Sequence, residues 1–321
     1  MRKTLLLCLS GAALAIFTIS ASAQTVGLAT SSAGSFFHTQ GSVIGGIVSG
    51  KHNIQVRVQP FSSGNVHLPL INDGRVEFGL VSIYEPLLAL EGREFYQGHK
   101  NQNLRLVSIT SVITALFFAR KDSGIKTVAD LKGKRVSWGY SQQNIFVPLL
   151  KAQFDAVGLT EKDIKPILVP TVVRGAEDFI EGRNDAFFIA LGAAKVTEAD
   201  AAVGGVSAVA LNDTPETRAS FQKNFPPAYI RVFQPRRGLA GIVEPTPVMT
   251  YDCVMVTNAN VSEDVVYNMT KALYENAEAL AKASPTMAAF SADSMAKKTD
   301  PLEYHPGAIK FYREKGLWPP K

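Results

Sequence analysis

The chain has 321 residues, 46% of them hydrophobic and 19% charged, with no low-complexity tract and no internal repeat. That length exceeds one typical domain, so two lobes are expected. The formal net charge is +5, and no Lys/Arg run with interleaved aromatics occurs, which excludes a nucleic-acid binder.

Residues 1–23 open with Arg2 and Lys3, continue as an apolar run over 5–19 and end in Ala21-Ser22-Ala23. This is the pattern of a secretory signal peptide cleaved before Gln24, so the mature protein is expected in the periplasm. Removing Arg2 and Lys3 leaves 5 − 2 = +3. The apolar run is short for a membrane span, and Cys8 lacks the small preceding residues of a lipidation site. Cys253 is then the only mature cysteine, so no intramolecular disulfide is expected. It lies in the apolar run 251–256, which reads as a small buried hydrophobe rather than a nucleophile.

Apolar spacing predicts a helix over 36–48 with Gly50 as its stop. Gly45 to Lys51 superficially matches a phosphate loop, but His52 replaces the needed Ser/Thr and the pattern ends a helix instead of opening one. Residues 54–58 alternate as a strand. Ser62-Ser63-Gly64-Asn65 suits a helix cap, Val66, Leu70 and Ile71 share a helical face, and 78–81 is the next buried strand. The polar turn of this βαβ unit presents free N–H groups, which suit an anion, or it is simply a cap. Further strands are expected over 104–110, 114–120, 135–139, 167–169, 186–190, 209–211 and 248–257. Helices are expected over 127–131, 145–157, 176–180 and 215–225, then after Ser262 and after His305-Pro306. The alternation predicts an α/β protein with parallel-rich sheets flanked by helices. The lobes are assigned to residues 24–113 plus 251–321 and to 114–250, joined by two hinge crossings.

No G-x-S-x-G, H-E-x-x-H or C-x-x-C occurs, and the five histidines are scattered, so neither catalysis, nor a metal, nor a cofactor is expected. The strand-to-helix turns supply binding candidates instead. These are Ser35, Phe36 and Phe37 in the first turn, Ser63, Gly64 and Asn65 in the second, and Ser82 and Tyr84 after the third strand. In the second lobe they are Ser141, Gln142, Gln143 and Asn144, whose amides both donate and accept. Arg174, at the start of the helix after Val169-Pro170, is placed to grip a carboxylate with two parallel hydrogen bonds.

Five stretches recur in a known family order: Gly27-Leu28-Ala29-Thr30 with Ala33-Gly34-Ser35-Phe36-Phe37, the Ser63-Gly64 turn with 74–81, residues 122–136, Gly182 to Phe188, and His305-Pro306-Gly307-Ala308 with Phe311-Tyr312. Together they resemble the TAXI-type solute receptors of TRAP transporters, which are ion-gradient-driven importers. The resemblance implies a two-lobed periplasmic-binding-protein clamshell of type II, a monomer. It would deliver a small carboxylate-bearing organic anion, of the amino acid or dicarboxylate class, to TRAP membrane subunits. The amide-rich loop 140–144 departs from the Gly-Ser-Gly-Thr-type loop of such receptors. Two other functions fit the same residues: a ligand-sensing subunit for a membrane sensor kinase, and a small exported enzyme on this fold.

Overall fold

A computed structural model describes residues 24–320; the expected signal peptide and Cys8 lie outside them. The chain begins with β1 (Gln24–Thr30), α1 (Phe36–Val48), β2 (Ile54–Pro60), α2 (Gly64–Asn72), β3 (Phe78–Ser82) and α3 (Tyr84–Glu91). The long strand β4 (Leu104–Arg120) leads to β5 (Arg135–Gly139), α4 (Phe146–Asp155), β6 (Lys165–Val169), α5 (Val172–Ile180) and β7 (Ala186–Ala190). Then come α6 (Ala194–Val203), β8 (Val206–Ala208), α7 (Pro215–Asn224) and β9 (Tyr229–Phe233). The second long strand, β10 (Thr246–Asn258), precedes α8 (Glu263–Glu275), α9 (Ala277–Ala283) and α10 (Pro306–Glu314).

The strands are ordered β2-β1-β3-β10-β4-β7-β5-β6, with β8 beside β4 and β9 beside β10. β1 pairs in parallel with β2 and β3, and β5 in parallel with β6 and β7. β10 and β4 are antiparallel to each other, and β10 is antiparallel to β3, β4 to β7. The sheet is therefore mixed rather than purely parallel. The physical reason is that the chain crosses between its halves on two strands running in opposite directions. Residues 104–114 of β4 lie against β10, while 115–119 lie against β7.

Expectation and structure differ most where a crossing is involved. Residues 104–120 form one strand instead of two, because Ser111 to Thr114 stay paired with β10. The short strand expected at 209–211 is replaced by β8 at 206–208; Val209 and Leu211 still donate backbone bonds, to Phe117 and Pro247. The helix after Ser262 breaks at Asn276, whose side chain donates back to the Ala272 carbonyl at 2.7 Å. α3, α6 and β9 were not expected from sequence.

Apolar residues of β4, β7 and β10 make the core continuous across the crossings, with Phe117, Phe187, Phe188, Val254 and Met255 fully buried. Cys253 is buried there as well, and its thiol, held off solvent, is pushed far above its ordinary range. Its Sγ lies 3.0 Å from Gln40 Oε1 and receives the Thr110 hydroxyl at 3.2 Å.

Candidate functional site

The crossing strands and four helix starts meet around a cavity. Ile113, Ala115 and Tyr251 form its floor, where β4 and β10 pass between the halves. From the first half, Ser35, Phe36 and Phe37 come from the start of α1, Ser63 and Gly64 from the start of α2, and Ser82 from the end of β3. From the second half, Gln143 and Phe146 come from the start of α4, and Val172 from the start of α5. Residues after a strand's carboxyl end and before a helix are thus collected in one place, as open α/β sheets require.

Local chemistry explains why these turns are shaped as they are. Ser35 caps α1, its hydroxyl accepting the His38 N–H at 3.3 Å. Phe36 and Phe37 meet edge to face with ring centroids 5.6 Å apart, and both line the cavity. Ser63 stands at the N-cap of α2 but makes no side-chain cap bond; its hydroxyl donates to Asn65 Oδ1 instead. The amide groups of Phe36, Phe37, Gly64 and Asn65 donate to no acceptor among the described residues. They leave two positive helix ends near the cavity.

Gln143 ties the halves together. Its amide donates to the Ser62 carbonyl at 2.9 Å, while its Oε1 accepts the Val172 N–H at 2.7 Å. A second bridge runs from the Lys195 N–H to the Gly34 carbonyl at 3.4 Å. Tyr84, from α3, stacks edge to face on Phe225 at 4.6 Å, and Phe225 in turn meets Tyr251.

The lining contains one carboxyl group, Glu85, and no Lys, Arg or His. Glu85 sits in the first turn of α3 and is 2% exposed. Its Oε2 accepts the Ser82 N–H at 3.0 Å and the Ser82 hydroxyl at 2.9 Å. Burial nevertheless outweighs these two bonds and pushes its pKa up to about 7. Sequence reasoning missed this residue, although a single acid inside the apolar stretch 80–90 was a visible signal.

A model described as the NMT1-like family matches residues 28–316. The chain belongs to the NMT1-like family. Solved structures agree on the architecture. A protein of Bordetella bronchiseptica RB50 superimposes with a TM-score of 0.53 at 14% identity, covering 92% of this chain and 99% of its own. PhnD1 from Prochlorococcus marinus (MIT 9301), in complex with methylphosphonate, gives 0.53 at 9% identity, covering 91% and 98%. The alkanesulfonate-binding protein SsuA from Xanthomonas axonopodis pv. citri, bound to MOPS, gives 0.48 at 16%, covering 92% and 94%. On the two structures that superimpose at 0.53, the fold is α/β and periplasmic-binding-protein-like, a mixed sheet flanked by helices.

Membership of the NMT1-like family overturns the resemblance to TAXI-type receptors, and with it the TRAP membrane subunits as partner. The motifs behind that resemblance have structural duties in this NMT1-like chain. Thr127 and Asp130 form a capping box, Gly182 takes a φ of +75° just after α5, and Pro306 opens α10. Gly307 is needed because a Cβ would press on the Tyr267 N at 3.0 Å. Turns of this kind recur wherever the same fold must close.

Of the residues singled out from sequence, the NMT1-like structure gathers Ser35, Phe36, Phe37, Ser63, Gly64, Ser82 and Gln143 around the cavity. Asn65, Tyr84, Ser141, Gln142, Asn144 and Arg174 are not among its lining residues. Ser141 and Gln142 point to solvent. Arg174 lies in the first turn of α5 and its guanidinium sits 2.6 Å from Asp178 one turn on. That pairing satisfies the cation on its own helix. Arg174→Leu is accordingly expected to leave solute affinity unchanged in calorimetry. A loss of binding would return Arg174 to the site.

Proposed function

We propose that this NMT1-like protein is an exported solute-binding receptor that captures a small carboxylate-bearing molecule and hands it to a membrane importer. The observation that carries the reading is the cavity itself, walled by both halves at the ends of their strands and bridged by Gln143. No helix among the described residues is long and apolar enough to cross a membrane, and the proposed import is assigned to a membrane partner.

The proposed carboxylate lies on the free N–H groups at the starts of α1 and α2, aided by the Ser35 hydroxyl. The apolar body packs against Phe36, Phe37 and Phe146. The methylphosphonate of the Prochlorococcus structure raises the alternative of a phosphonate. A planar monoanion is favoured here because a doubly charged head would meet Glu85 with no cationic side chain in the lining to offset it. Binding without turnover is proposed, since no histidine lines the cavity to activate its serines.

Native mass spectrometry of protein purified without refolding tests this. The expected result is a single small molecule bound in stoichiometric amount and released intact on unfolding. Protein that never carries a solute, or that converts it to product, contradicts the receptor reading.

A further inference from the structure

Glu85 accepts the N–H and the hydroxyl of Ser82, just ahead of its own helix, and these bonds occupy Oε2 alone. Oε1 accepts no hydrogen bond from any described residue. Oε1 is the carboxyl atom pressed against Gly64 at the start of α2, where a Cβ would meet Oε1 first and the Glu85 carboxyl carbon at 2.7 Å. Glycine at position 64 is what lets the acid reach the cavity wall this far down. A nearly buried acceptor, with one lone oxygen and no protein donor, stands in a wall that is otherwise hydroxyl, amide and hydrocarbon. The Ser82 bonds account for Oε2, and Oε1, against Gly64 in the cavity wall, has no such partner.

We infer that Glu85 is the specificity-determining residue of the cavity and that it accepts the N–H of a protonated amine on the solute. The inference deepens the receptor reading and rests on it. It narrows the solute to a small zwitterion, an apolar amino acid in chemical class. The carboxylate lies at the start of α1 and the ammonium reaches Glu85 Oε1. An anion without a nitrogen would leave Glu85 unpaired or force it to stay protonated.

The groups facing Glu85 leave its charge free to follow the solute. Tyr251 and Cys253 on β10 and Tyr96 in the turn after α3 are all pushed up by burial, and His67 on α2 is pushed down to about 3, so all four are neutral near pH 7. Glu91 and Arg93, near the far end of α3, pair with each other in solvent. With Glu85 titrating near pH 7, an arriving ammonium displaces its proton into solvent, and the ion pair forms in place.

The test titrates wild type and Glu85→Gln with two matched series: L-phenylalanine, L-leucine and L-valine, and their desamino acids 3-phenylpropanoate, 4-methylpentanoate and 3-methylbutanoate. Calorimetry is run at about pH 6.5 in two buffers of different ionisation enthalpy. One charge-assisted hydrogen bond corresponds to a preference of about 10- to 150-fold for the amine-bearing member of a pair. Wild type is expected to show that preference and to release a proton on binding. Glu85→Gln is expected to bring the ratio close to one and abolish the proton release. Arg174→Leu is expected to behave as wild type. Desamino acids that bind wild type as well as the amino acids overturn the inference and leave the solute site standing. So does a Glu85→Gln variant that keeps the preference. A wild type that answers to neither series also overturns it, and the mass-spectrometric solute then decides the receptor reading separately.

Discussion

Glu85→Gln is expected to raise the melting temperature of the solute-free protein by about 5 °C at pH 8 while leaving it unchanged near pH 4. The Glu85 carboxyl is raised from its ordinary 4.5 to about 7 because burial penalises its charged form. Below pH 4.5 the group is protonated in both the folded and the unfolded chain and costs nothing. Between 4.5 and 7 the unfolded chain loses its proton and the folded chain keeps it, so stability falls as pH rises. Above 7 the deficit is constant at about 3 kcal/mol, the free-energy equivalent of the shift. Glutamine keeps the shape and one acceptor for Ser82 but carries no charge, so the deficit vanishes. The residue is retained, on this account, because it reads the solute, a trade of stability for function. A variant that melts lower than wild type at pH 8 would mean that ionised Glu85 already has a favourable partner.

A second large effect is expected from Gln143→Ala. The glutamine is 2% exposed and satisfies two backbone groups, one in each half. Truncation leaves the Val172 N–H without its partner and the Ser62 carbonyl with the Ser32 hydroxyl alone, at 3.4 Å, and a buried group left unpaired costs about 1–3 kcal/mol. If the proposed receptor opens to admit its solute, the Ser62 bond, which spans the cavity, is lost on opening, so its removal weighs on the closed state alone. At about 1.4 kcal/mol the closed-to-open ratio falls tenfold, and apparent solute affinity falls with it. Small-angle scattering should show a larger radius of gyration for the solute-free variant, restored by saturating solute. Gln142→Ala, altering an exposed neighbour, should change neither quantity. A lowered melting point with unchanged scattering would make Gln143 a brace for the start of α5 and nothing more.

The periodicity of the chain made most of the architecture legible. Strand alternation at 54–58, the capping residues Thr214 and Ser262, and the apolar runs at 186–190 and 248–257 correspond to β2, α7, α8, β7 and β10. What periodicity carries poorly is partnership. The strand-like segments at 104–110 and 114–120 are one strand because β10 pairs across the gap, and nothing local announces that. The serines and phenylalanines of the turns could be picked out, since a strand-to-helix turn is a local pattern. Arg174 was singled out as a carboxylate grip from its place at a helix start, and Asp178, one helical turn on, was not weighed as its partner. Glu85 was passed over because its meaning depends on Gly64, twenty-one positions away, admitting it to the cavity.

The most direct measurement is a crystal structure of the protein grown with the amine-bearing probe that calorimetry finds tightest. The account predicts that probe in the cavity between β4, β10 and the starts of α1 and α2. Its nitrogen should lie about 3 Å from Glu85 Oε1, and its carboxylate should lie on the Phe36 and Phe37 amides. A probe bound elsewhere, or one bound here with its carboxylate against Glu85 and its nitrogen in solvent, would contradict it.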